Sequence, residues 1–180
     1  MKAIEIIFGL IKIPTDFLLT ISAFLLAYNI RLFTDLIPGI QLPITESEFP
    51  PINEYLIATS IAALILVLFF ASAGMYSLKK PLKLSKQYWK ILINSTFWLF
   101  LIISYYFIIR SFPFSRLALL QTWIFTIILV SIGRTIIYRI QQYFYQSGKA
   151  RSNVLLVGSN NFTEEFVTAY FKNPEYNCIG

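Results

Sequence analysis

Apolar residues in this chain gather into long unbroken runs, unlike the alternating or short-period patterns of a water-soluble fold. From Tyr55 to Tyr76 no charged residue occurs. Ile91 to Ile109 is a second run, bounded by Lys90 and Arg110. A third, Leu117 to Gly133, is bounded by Arg116 and Arg134 and extends to Ile137. About 20 predominantly apolar residues cross a hydrocarbon core of roughly 30 Å, so each run is a membrane span. A fourth stretch, Phe17 to Ile30, is free of charge but short, and its helix must reach back through Asp16, Pro14 and Lys12. The pattern predicts four spans, over about 12–32, 55–76, 91–110 and 117–137.

The charges at the start of the first span need an account. Lys12 and Asp16 are spaced i,i+4, on one helical face, where they are expected to pair at the membrane boundary. Pro14 is then expected in or near the first turn, where its missing N–H costs nothing. A carboxylate within a span is a functional candidate by default; the preferred reading is a boundary residue neutralised by Lys12 and water. The apolar run Ile6–Ile11 is no signal peptide, because no small-residue cleavage pattern follows it and hydrophobicity resumes after Lys12.

Beyond Arg134 the apolar positions Ile136, Ile137, Ile140, Tyr143 and Phe144 recur at helical spacing, which predicts an amphipathic extension to residue 147. Ser147-Gly148 stops it, and residues 148–152 read as a basic linker. Asn153 to Val157 is a five-residue apolar run ended by Gly158, as in a buried parallel strand. Phe162 to Lys172 reads as a helix, with Glu164 and Glu165 in its first turn and Lys172 in its last. Asn173-Pro174 ends it, and Tyr176 to Ile179 opens a second strand. The fold class expected is therefore a four-helix transmembrane region (1–147) followed by the first βα(β) of a Rossmann-like α/β domain (153–180). Twenty-eight residues cannot bury such a sheet on both faces, so this unit is expected to be incomplete. Of the three glycines of the dinucleotide fingerprint only Gly158 is in place, with Asn160 and Thr163 at the other two positions, so no nucleotide is expected here.

Composition agrees with the bilayer. Of 180 residues 57% are apolar and 13% charged, too few charges to cover a soluble globule of this size. The chain has no His and one Cys, Cys178, which excludes an internal disulfide, a Cys/His zinc site and His-based catalysis; Cys178 reads as a structural thiol. The net charge of +6 reads as orientation and not as nucleic-acid binding. With the N-terminus inside, the inner segments hold Lys2, Lys12, Lys79, Lys80, Lys83, Lys86, Lys90, Arg134, Arg139, Lys149, Arg151 and Lys172, and the outer ones only Arg31, Arg110 and Arg116. Positive charge gathers on the cytoplasmic side, so both termini are expected there. Lys79, Lys80, Lys83, Lys86 and Lys90, beside the membrane, are candidate contacts for a lipid phosphate; the alternative, a plain topology signal, is preferred. Transport is disfavoured, because spans two to four contain no charge to line a path.

The order of parts resembles the N-terminal half of the bacterial polyprenyl-phosphate sugar-phosphate transferases. The resemblance rests on Asp16 opening the first span and Leu26-Ala-Tyr-Asn-Ile-Arg31 closing it, and on Gly74-Met75-Tyr76 ending the second. It rests further on Ser115-Arg116 and Gly133-Arg134 at the two ends of the fourth, and on Asn153-Val-Leu-Leu-Val-Gly158 with Asn173-Pro174-Glu175 and Ile179-Gly180. What it implies is an anchor in the bacterial cytoplasmic membrane for an enzyme that moves a sugar 1-phosphate from a nucleotide sugar to undecaprenyl phosphate, starting exopolysaccharide, capsule or O-antigen synthesis. Membrane lipids, polyprenyl phosphate among them, are the implied partners. The family's Mg²⁺ and Asp-Glu pair belong to a C-terminal domain absent from this sequence, so no catalytic, cofactor or metal residue carries over and this polypeptide alone is expected to be inactive. Two alternatives stand beside this reading: the N-terminal part of a membrane nucleotide-sugar 4,6-dehydratase, and a non-catalytic anchor or assembly module.

Overall fold

A computed structural model describes residues 3–32, 51–77, 83–109, 116–146, 152–154 and 176–178. Four helices dominate it: α1 Ala3–Leu32, α2 Ile52–Ser72, α3 Leu84–Ile109 and α4 Arg116–Gln146. Each contains a segment long and apolar enough to cross a membrane. Each helix packs on its neighbours in sequence, and α4 closes the ring against α1. The exposed surface carries many large apolar side chains, among them Ile57, Leu68, Phe97, Phe107 and Ile108. So much exposed hydrocarbon is unsuited to water and suited to lipid.

The closest seam runs between α1 and α4, and its residues explain why. The buried positions of α1 (Gly9, Lys12, Asp16, Thr20, Ala23, Phe24, Ala27) and of α4 (Ala118, Leu119, Thr122, Thr126, Val130, Gly133, Arg134, Ile137, Gln141) recur mostly at helical spacing. Half of them are Gly, Ala or Thr, and small residues let helix backbones approach where lipid gives no hydrophobic drive. A Cβ on Gly133 would overlap the tip of Leu19. Near one end Phe8 packs on Phe144 with ring centroids 5.8 Å apart, as antiparallel helices require.

The interior is aromatic at its centre. Phe24 meets Tyr55 and Trp98 edge-on, at centroid distances of 6.3 and 5.8 Å. Both polar tips are satisfied by a neighbouring backbone. The Tyr55 hydroxyl donates to the Phe24 carbonyl (2.9 Å) and the Trp98 indole N–H to the Ala62 carbonyl (2.8 Å). Each bond joins two helices through a carbonyl that still serves its own helix.

Three boundaries differ from those expected. α1 starts at Ala3, so Pro14 lies well inside the helix and not in its first turn; its ring is exposed, and a membrane helix tolerates the lost hydrogen bond when local groups re-satisfy the backbone. α2 stops at Ser72, short of Tyr76. Gly74 adopts φ +68°, its N–H donates to the Ala71 carbonyl (2.9 Å) and that of Met75 to the Phe70 carbonyl (3.0 Å). That is a Schellman end, which glycine enters without a Cβ penalty. α3 begins at Leu84, several residues before its apolar run.

Beyond the bundle, β1 (Ser152–Val154) and β2 (Tyr176–Cys178) pair in parallel, with Ser152 opposite Tyr176, Asn153 opposite Asn177 and Val154 opposite Cys178. β1 thus takes in Ser152, expected to be linker. A parallel pair needs a crossover connection between its strands. The helix expected over Phe162–Lys172, the glycine Gly158 and the strand ends 155–157 and 179 lie outside the described residues.

The seam can be tested at its tightest point. Gly133→Ala is expected to cost about 1–3 kcal/mol by overpacking, read as a lowered thermal midpoint in detergent, and Leu19→Ala in the same chain is expected to recover part of that loss. A Gly133→Ala chain as stable as the parent would mean that the seam is looser than the geometry indicates.

Candidate functional site

The buried charged residues of the bundle, Lys12, Asp16 and Arg134, gather toward the end where α2 finishes and α3 begins. Asp16 on α1 and Arg134 on α4 are each 1% exposed. The guanidinium grips the carboxylate with two donors, Nε to Oδ1 at 3.2 Å and Nη2 to Oδ2 at 2.5 Å. Its third donor, Nη1, reaches the Met75 carbonyl at 3.2 Å. Tyr76 completes the group: its hydroxyl donates to Asp16 Oδ2 at 2.8 Å, and its ring lies 5.0 Å from the guanidinium carbon, within cation–π range. One carboxylate therefore joins α1, α4 and the turn after α2.

The local backbone explains how these groups arrive. The Schellman end of α2 turns the chain so that Met75 is buried in the core and its carbonyl faces Arg134. From α3, Lys90 donates to the Ala73 carbonyl at 2.5 Å, a cation placed at the negative end of α2. Tyr88 and Thr135 share a hydrogen bond at 2.7 Å, which holds α3 to α4 at the same level.

Several residues singled out from the sequence stand differently here. Lys12 was expected to pair with Asp16. It is buried at 6% exposure one turn away, close enough to both charges to feel them, yet the carboxylate oxygens are taken by Arg134 and Tyr76. Arg134 reads from the sequence as a topology charge, and its true partner lies 118 residues away. Of the lysines proposed for lipid phosphate, Lys83 and Lys86 are exposed and Lys90 donates to the Ala73 carbonyl. Lys79 and Lys80 lie outside the described residues.

Chemically the arrangement is a clasp. Among the described residues Asp16 is the one buried carboxylate, and both its oxygens are occupied. No group of three His, Cys, Asp or Glu side chains gathers among them, so nothing described fits Mg²⁺. A bidentate Arg–carboxylate pair, with a further acceptor for the guanidinium and a further donor to the carboxylate, is the geometry that offsets the desolvation of two buried charges.

No family model, no curated protein and no solved structure matches this chain.

Breaking one half of the clasp leaves a bare charge in a low-dielectric interior. Asp16→Leu or Arg134→Met alone is expected to cost about 3–5 kcal/mol, and the double change Asp16→Leu with Arg134→Met substantially less than the sum. Thermal midpoints of the four chains in detergent check this. Single costs that simply add in the double variant would sink the idea of a coupled pair.

Proposed function

We propose that this chain is the membrane-anchoring N-terminal part of a bacterial sugar-phosphate transferase that uses undecaprenyl phosphate as acceptor. The observation that carries this reading is the clasp. Asp16, Gly74-Met75-Tyr76 and Gly133-Arg134 are three separate points of the resemblance, and they meet at one place in the bundle. A spacing kept for chemistry would leave an oxygen open to a substrate. Here the residues are spent on holding helices together, which suits an anchor whose chemistry lies elsewhere.

The parallel strand pair follows α4 closely, since β1 starts at Ser152 and α4 ends at Gln146. On this reading it opens a Rossmann-like domain on the cytoplasmic side, both termini are cytoplasmic, and the membrane is the bacterial inner one. Polyprenyl phosphate, the nucleotide sugar and Mg²⁺ are handled by a domain beyond Gly180. The Lys-rich segment around Lys83 and Lys86 attracts anionic headgroups and helps fix orientation.

Two measurements test the proposal. Cys178 is the single cysteine, so an impermeant maleimide is expected to label it only after the cells are opened; labelling of intact spheroplasts would overturn the orientation. For activity, the protein is expressed from its intact native gene. The membranes are expected to move sugar phosphate from a nucleotide sugar to undecaprenyl phosphate in the presence of Mg²⁺. Release of a 4-keto-6-deoxy sugar nucleotide with no lipid-linked product would favour the dehydratase, and membranes that form neither product would favour a non-catalytic module.

A further inference from the structure

At the opposite end of the bundle from the clasp, a groove of about 320 Å³ opens beside α2 and α3. Ala58, Ala62 and Ile65 of α2 line one side and Ile102, Tyr105 and Tyr106 of α3 the other. Phe24 of α1 and Leu119 of α4, both buried, contribute to its lining. The one aliphatic hydroxyl among its lining residues, Thr59, is turned to the Leu56 carbonyl of its own helix at 3.1 Å. The lining is mostly hydrocarbon, with the hydroxyls of Thr59, Tyr105 and Tyr106 as its polar side-chain groups.

Position decides what fills such a space. Every lining residue belongs to one of the four candidate spans, so the medium at the mouth is lipid and not water. Left empty, the walls would forfeit their dispersion contacts. The volume sits at the low end of the range for ligand pockets, about 300–1,000 Å³, which suits one chain and excludes a whole two-chain lipid.

Direction follows from the aromatics. Tyr105 and Tyr106 lie one turn before the end of α3, with ring centroids 5.3 Å apart. Tyr and Trp concentrate at headgroup depth. Trp89 stands 64% exposed near the other end of the same helix, 16 residues before Tyr105 and so about 24 Å along the axis. These two belts bracket the hydrocarbon core, and the groove opens just inside one of them. From Ala58 to Ile65 it follows α2 inward for about 10 Å.

We propose that this groove is a lipid site that takes one acyl chain of a membrane phospholipid, entering from the leaflet on the Tyr105 side. The site rests on the membrane embedding alone, and it stands whether or not the chain belongs to a transferase.

The indole of Trp98 provides a built-in reporter. It is 1% exposed and its N–H bonds the Ala62 carbonyl, behind the groove wall and away from lipid on the outer surface. The full chain with Trp89→Phe and Trp123→Phe, leaving Trp98 as the single tryptophan, is reconstituted in nanodiscs of phosphatidylcholine brominated at mid-chain. Contact quenching is expected to remove at least half of the Trp98 emission, and Ala58→Phe, which fills the groove, is expected to reduce that quenching at least twofold. An unquenched Trp98, or equal quenching with and without Ala58→Phe, overturns the proposal. Native mass spectrometry of the unsubstituted chain decides the matter should Ala58→Phe fail to reconstitute. One phospholipid retained per chain is the expected result, and a bare chain overturns it.

Discussion

A carboxylate and a guanidinium inside a bilayer protein must answer to each other, because neither lipid nor packed side chains can replace their water. Desolvation of the two is repaid only when geometry is good and the remaining donors and acceptors are filled. Asp16 and Arg134 make two parallel hydrogen bonds to each other, the Met75 carbonyl takes a third guanidinium N–H, and the Tyr76 hydroxyl donates to the second carboxylate oxygen. The rest of the bundle is arranged so that this can happen. Small residues along α1 and α4 bring the two helices close, and a left-handed glycine ends α2 where its next residues can reach the pair.

The two ends of the bundle therefore differ in kind. One is polar, cross-linked by hydrogen bonds from all four helices, since Lys90 and Tyr88 add α3 to the group. The other is aromatic and apolar, with the Tyr55 hydroxyl and the Trp98 indole spent on backbone carbonyls. Van der Waals packing and interhelical hydrogen bonds are what a membrane interior has available for joining helices. Here the first dominates toward one face and the second toward the other.

Much of the architecture was legible in the chain's apolar runs, because a bilayer imposes length and charge limits that a soluble core does not. The errors fell where a local rule met a tertiary override. Lys12 and Asp16 looked like a boundary because charges usually mark one, yet α1 continues back to Ala3 since another helix supplies the counter-charge. The apolar stretch Ala73 to Tyr76 looked like span, but one glycine φ of +68° ends the helix there. Lysines before Ile91 looked like loop, although Lys86 and Lys90 sit on the first turns of α3. The clasp itself was invisible to spacing rules, which compare residues within a helix. A clue was present: Asp16 lies 16 residues before the end of α1 and Arg134 lies 18 after the start of α4, similar depths in antiparallel helices. Reading it requires knowing that α4 is the neighbour of α1.

The distance along the chain between those two residues has a consequence for biogenesis. Asp16 enters the membrane with the first helix, while its counter-ion is still 118 residues from being made. At a synthesis rate of about 5–20 residues per second, roughly 6 to 24 s separate the making of the two partners. This end of the bundle can therefore close only once the last helix is in place.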